Sequence, residues 1–204
     1  MPFETNVFVN CPFDKEYNSL LRALAFTILY LDLEPKIAQT FSSSAIRINQ
    51  IKQHIRNSKY SIHDISRSKP LKQDELPRFN MPYELGLDIG CNEYGGKKFS
   101  QKKALILESE RYHYHKVLSD ISGQDIEHHN DDPKTLILKV RNWFSANKTK
   151  LIIPGASEIW LAYNQYKADL ITNLSATYSA TDIAEMPIGD YIKFNRGWIA
   201  TFKK

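Results

Sequence analysis

The feature that most constrains this chain is the alternation of short apolar runs with stretches of helical period. Val7-Phe8-Val9 is an apolar run that stops at Asn10-Cys11-Pro12, because proline cannot continue a central strand. Tyr17, Leu20, Leu21, Leu24 and Ile28 then recur at helical spacing. Asp14 stands just before them, where an N-cap belongs. Residues 34–38 read as a weak second strand and 40–44 as a polar loop, and Ile48, Ile51 and Ile55 mark one face of a second helix. Residues 60–65 read as a third strand with Ser66 at its exit, followed by a polar, proline-containing loop over 68–80. Pro82 sits near the start of a helix over 81–90, a place where proline is tolerated. Gly95-Gly96 marks a turn, 103–107 a fourth strand and 136–144 an apolar-periodic helix. Strands alternating with helices imply a parallel sheet with helices on both faces.

The alternation stops near Lys148, which divides the chain into an α/β domain over 1–147 and an appended segment over 148–204. Ile152-Ile153-Pro154-Gly155 reads as a connection, 160–174 as a helix and 181–189 as a second short helix. The appendage is rich in aromatic side chains. It either packs on the first domain or forms an assembly surface.

Composition narrows the function classes. An apolar fraction of 42% in 204 residues supports a folded core. No run reaches the roughly eighteen apolar residues of a membrane helix, and residues 1–6 show no signal pattern. A cytoplasmic location without membrane association is expected. The net charge of +4 is mild and its lysines and arginines are scattered, with only Lys97-Lys98 and Lys102-Lys103 close together. That reads as solvated surface and makes a nucleic-acid partner unexpected. Two isolated cysteines, Cys11 and Cys91, make neither a disulfide framework nor a metal site. His113, His115, His128 and His129 lack the spacing of helical ligand pairs and read as surface residues. No metal is expected.

In an open α/β sheet, ligands bind beyond the carboxyl ends of the strands where the strand order reverses. In a flavodoxin-like order, 2-1-3-4-5, that point lies between strands one and three. The segment 10–14 leaves the first and the segment 66–84 follows the third. Asn10, Phe13 and Asp14 therefore line the expected crevice, with Phe13 able to stack on a ring; a capping Asp14 and a core Phe13 are the plain alternative. The segment lacks the glycines of a phosphate-binding loop. Cys11 suits a small buried residue better than a nucleophile. Glu84 falls in the first turn of its expected helix, where an acid either answers the helix dipole or points into the crevice. There it can meet ribose hydroxyls and stabilise an oxocarbenium-like transition state. His63 and Asp64 belong to a strand buried on both faces and need polar partners. Arg47 follows a serine-rich stretch and can meet a phosphate, or be merely exposed.

The order of these pieces resembles a Toll/interleukin-1 receptor (TIR) domain. The carriers are residues 7–10, the loop at 41–47, the helix with Ile48, Ile51, Ile55 and Ser58, the strand ending in Ser66, and Glu84-Leu85. Tyr83-Glu84-Leu85-Gly86 is also similar to nucleoside 2-deoxyribosyltransferases, which share the layout and use a glutamate on the ribose. The resemblance spans residues 5–145. It implies that Glu84 supports cleavage of the nicotinamide–ribose bond of NAD, a substrate and not a recycled cofactor. It implies a nucleotide pocket drawn from Asn10, Cys11, Phe13, Asp14, Arg47, His63, Asp64, Ser66, Asn80 and Tyr83. Bacterial members of this kind act in anti-phage defence and assemble with their own kind, so a homo-oligomer is expected. The chain departs from the common pattern at Asn10-Cys11-Pro12, where a serine or aromatic is usual. It departs again at Phe79-Asn80-Met81-Pro82, which replaces Trp-Cys. Three activities stay open: hydrolysis or cyclisation of NAD, nucleotide sensing or self-assembly without turnover, and deoxyribosyl transfer.

Overall fold

β1 (Asn6–Asn10) is buried along its whole length, so both its edges and both its faces must be covered. It pairs in parallel with β2 (Glu34–Ile37) on one side and β3 (Tyr60–Asp64) on the other. β3 pairs with β4 (Lys103–Glu108), and β5 (Ile126–His128) closes the far edge. The result is a five-stranded parallel sheet in the order β2-β1-β3-β4-β5, the flavodoxin-like arrangement expected from the alternation. The computed structural model describes residues 2–38, 46–68, 70, 75–148 and 152–203. The loop expected at 40–44 and part of the one at 68–80 lie outside them.

A short α1 (Pro2–Thr5) precedes the sheet, and four longer helices cross between strands or follow the last one. These are α2 (Asn18–Tyr30), α3 (Arg47–Arg56), α4 (Asn80–Tyr94) and α5 (Pro133–Asn147). Successive strand residues point to opposite faces. Val7, Val9, Tyr60, Ile62, Leu105 and Leu107 face one way and join the core under α2 and α5. Phe8 and Ile106 face the other way and pack under α3 and α4. The Gly95-Gly96 turn after α4 needs both glycines. A Cβ on Gly95 would lie 2.2 Å from the Cys91 carbonyl oxygen, and Gly96 has a φ of +88°.

Several boundaries differ from expectation. Asp14 does not cap α2. Its carboxylate accepts the Tyr17 N–H at 3.0 Å, closing a turn that precedes the helix. Glu84 is the fifth residue of α4, past the first turn. β5 has only three residues and no apolar run to announce it. The tail holds α6 (Ala156–Leu174), a short α7 (Ala180–Ala184) and a 15-residue α8 (Ile188–Phe202), where only a short helix ending at Gly189 was expected. No described helix is long and apolar enough to cross a membrane.

The aromatic tail packs on the sheet domain. Ile159, Tyr163, Tyr166 and Leu170 of α6 and Tyr191 and Ile199 of α8 belong to the same buried cluster as α2 and α5. Phe26 of α2 is the hub, with ring centres 5.3 Å from Tyr163, 5.6 Å from Tyr166 and 6.0 Å from Trp198. Tyr178 and Phe202 keep substantial exposure. Phe26→Ala should therefore cost about 3–5 kcal/mol of stability. Because the tail shares this core, denaturant unfolding should remain one transition, coincident by circular dichroism and tryptophan fluorescence. A separate, earlier tail transition in the parent chain would contradict the shared core.

Candidate functional site

Strand alternation sorts the polar residues at the carboxyl edge of the sheet onto two faces. Asn10 and His63 are partners in register on the α3/α4 face. Cys11 and Asp64 lie on the α2/α5 face, so His63 and Asp64 serve different neighbours.

On the α3/α4 face the Asn10 side-chain amide donates to His63 Nδ1 and to the Met81 carbonyl, both at 2.9 Å. This ties the end of β1 to the start of α4. With Nδ1 accepting, Nε2 carries the ring proton and donates it to Asp88 at 3.0 Å. The Ser61 hydroxyl also donates to Asp88. The Lys102 ammonium lies 3.0 Å from the same carboxylate and donates to the carbonyls of Ile55 and Ser58. Lys102 is thus a buried ion-pair partner, not the solvated surface charge that its Lys-Lys context implied. Burial pushes the Asp88 carboxyl up, but His63, Lys102 and Ser61 together hold it at about 2.

Glu84 lies beside this network, and among the described residues it has no such set of hydrogen-bond donors. Its side chain is 5% exposed, and Arg47 Nη2 lies 3.7 Å from Oε1, an ion-pair separation beyond hydrogen-bond range. Burial raises the Glu84 carboxyl above its ordinary value, while Arg47 and then His63 pull it back. Arg47 is the first residue of α3, and its guanidinium sits 5.6 Å from the centre of the Phe13 ring. Glu84 and the segment leaving β1 thus face each other across one arginine. Phe13 is 40% exposed and so is not a core residue. Asn80 and Tyr83, on the first turn of α4, are exposed.

On the opposite face Asp64 is fully buried and accepts from the Tyr17 hydroxyl, the Ser66 N–H and hydroxyl, and His129 Nε2 at 2.8 Å. Burial raises the Asp64 carboxyl, and His129, Ser66 and Tyr17 more than reverse it, leaving it low. His129, expected at the surface, is completely buried. Its Nδ1 accepts the Asp131 N–H at 3.1 Å. Asp14 is held bidentately by Arg67, at 2.9 and 2.8 Å, which joins the exits of β1 and β3. Cys11 is buried, and its thiol is pushed well up by burial and by the carboxylates of Asp64, Glu84 and Asp14. It is a poor thiolate and fits the plain reading of a small buried residue.

The structure therefore brings Asn10, Phe13, Arg47, His63 and Glu84 together, and sets Asp14, Asp64 and Ser66 in a second cluster beside them. Arg67, Asp88, Lys102 and His129 were not anticipated. The position of Arg67 directly after Ser66, at the exit of β3, was the available signal. A larger open hollow of about 980 Å³ lies beyond Phe13 and Asp14, between α2, α6 and α7. Arg22 there donates to the carbonyls of Ile183 and Ala184, although its Nε has no hydrogen-bond partner among the described residues, and Lys15 pairs with Glu185 at 3.8 Å. Glu84 does not line that hollow. No described cluster of His, Cys, Asp and Glu could hold a metal ion. Compared with known protein families, characterised proteins and solved structures, the chain matches none.

The Asp88 network makes a pH prediction. Its folded pKa lies below the ordinary 3.8, so its stabilising contribution is complete above that value and is lost as pH falls through about 2. The shift corresponds to about 2 kcal/mol. Denaturant titrations from pH 5 to pH 2 should show that loss, and Asp88→Asn should remove this part of the slope while lowering stability at pH 7.

Proposed function

We propose that this chain binds a nucleotide where β1 and β3 diverge and cleaves or transfers at its N-glycosidic bond, with NAD as the substrate. The observation that carries the reading is Glu84: a buried carboxylate at the carboxyl edge of the sheet, facing an exposed aromatic ring across the half-exposed side chain of Arg47. A carboxylate in this setting is suited to a ribose, where it accepts from the hydroxyls and offsets positive charge developing at the anomeric carbon. Phe13 would stack on the departing base, and Arg47 would meet phosphate. Asn10 and His63 position the start of α4, and hence Glu84. Asp64 acts at a distance, by bracing the exit of β3 from the opposite face. The likeness to TIR domains and deoxyribosyltransferases supports the substrate class by analogy of motif and strand order.

A second reading is binding without turnover. The pairing of Glu84 with Arg47 favours it, because a carboxylate already matched to a cation can be structural. Purified protein incubated with NAD and analysed by chromatography separates the two. On the first reading nicotinamide is released, and Glu84→Gln, with its fold intact, reduces that release by about 10²-fold or more. Unchanged release in the variant removes Glu84 from the chemistry. Base exchange on deoxynucleosides with NAD untouched would point to deoxyribosyl transfer.

The same carboxylate sets a pH dependence. The ionised form does the work, and burial has raised its pKa above 4.5. Turnover should therefore rise with pH through that elevated value. Arg47→Ala removes the strongest opposing influence, so the acid limb of the profile should move to higher pH. A limb that stays in place would mean that another group controls it.

A further inference from the structure

Arg47 occupies an unfavourable place for a cation. It is the first residue of α3, at the positive end of the helix dipole, and no acidic residue stands in that first turn. Its head is held there by Glu84, 3.7 Å away, and by the face of Phe13, 5.6 Å away. A flat cation between an aromatic face and a buried carboxylate is a complete recognition arrangement in itself. The Arg47 side chain is 43% exposed, whereas that of Glu84 is almost fully covered. The carboxylate is thus the fixed half of the pair and the arginine the replaceable half. At 3.7 Å the half-exposed arginine makes no hydrogen bond to the carboxylate, so the pair lacks the geometry that would hold it closed.

We propose that Arg47 is a resident competitor: its guanidinium fills a site between Phe13 and Glu84 that accepts a planar organic cation, and a ligand must displace it to bind. The ligand class follows from the site. It is a flat ring carrying positive charge, such as a pyridinium, and the neutral ring of the same shape lacks the term that Glu84 supplies. Displacement also frees the arginine to meet whatever anionic group the ligand carries beyond the ring. The inference rests on the nucleotide reading for its biological meaning, because the oxidised nicotinamide ring is such a cation. The binding claim itself can be tested without phosphate, ribose or turnover.

The probe is 1-methylnicotinamide, a pyridinium without phosphate, compared with neutral nicotinamide. Each is titrated into the full chain at about 0.15 M salt, where charges beyond about 8 Å are screened, and followed by calorimetry. Arg47→Ala should bind the cation at least about tenfold more tightly than the parent chain. Arg47→Lys, which keeps a charge at the same place, should stay within about threefold of the parent. Arg56→Ala, which removes an equal charge at the other end of α3, should change nothing. Adding Glu84→Gln or Phe13→Leu to Arg47→Ala should abolish the gain, with thermal melts confirming that each variant folds. Neutral nicotinamide should show none of these differences. The inference is overturned if Arg47→Ala binds the cation no more tightly than the parent, if the neutral ring responds equally, or if no variant binds the cation. Failure of the N-glycosidic reading looks different: the cation series behaves as expected, while NAD is never consumed.

Discussion

The central strand β3 carries two adjacent polar residues, His63 and Asp64, in a place where both faces are covered. Each must find partners inside the protein, because an unmatched buried polar group costs more than most single contacts return. The pleat sends them in opposite directions, and each organises one face of the sheet. His63 draws in Asn10 from β1, Asp88 from α4 and, through Asp88, Lys102 at the entry to β4. Asp64 draws in Tyr17 from the turn before α2, Ser66 from its own exit and His129 from beyond β5. Asn10, Tyr17, Ser66 and His129 thereby pin the crossovers at the carboxyl edge of the sheet, while Lys102 ties Asp88 to the amino ends of β3 and β4. This is also where the topology leaves a crevice between β1 and β3.

This arrangement separates scaffold from working parts. Asp64 and Asp88 are surrounded by donors and a buried cation or imidazole that hold their carboxyls low, so they are ionised and already engaged within the protein. Glu84 is buried nearby with an ionic partner at 3.7 Å, and its carboxyl is raised. Burial with incomplete compensation sets Glu84 apart from Asp64 and Asp88, whose partners more than offset their burial. Burial first, and then the carboxylates of Asp64, Glu84 and Asp14, push the Cys11 thiol well up, which disfavours thiolate chemistry there.

The strand order and most of the longer helices were legible in the sequence, because β1, β4, α2 and α5 carry clear apolar patterns and β3 places Tyr60 and Ile62 in alternation. β5 was not, since Ile126, Glu127 and His128 form an edge strand of half-buried residues with no apolar run. α8 was hidden by Gly189 and Gly197, which interrupt the helical reading of Ile188, Tyr191, Asn195 and Ile199, its buried residues. At the site, Asn10, Phe13, His63 and Glu84 could be placed by topology, and Arg47 by its position after the serine-rich stretch. Arg67, Asp88, Lys102 and His129 could not, because a charged or imidazole side chain gives no sign in sequence of whether its partner is water or another buried group. Only the pairing in space converts Lys102 from surface charge to the ammonium that holds Asp88.

The energies of the two kinds of ion pair explain why a ligand would act at one and not the other. Removing one partner from a fully buried pair such as Asp64 and His129 costs about 3–5 kcal/mol. No small ligand entering the crevice recovers that readily. The Arg47–Glu84 contact has one half-exposed partner and a separation of 3.7 Å, so it lacks the hydrogen bonds and mutual burial that make the Asp64–His129 pair costly to break. A cation that keeps contact with Phe13 and Glu84 while releasing Arg47 to solvent therefore exchanges like for like. The cost of entry is small, and the scaffold on either side does not have to move.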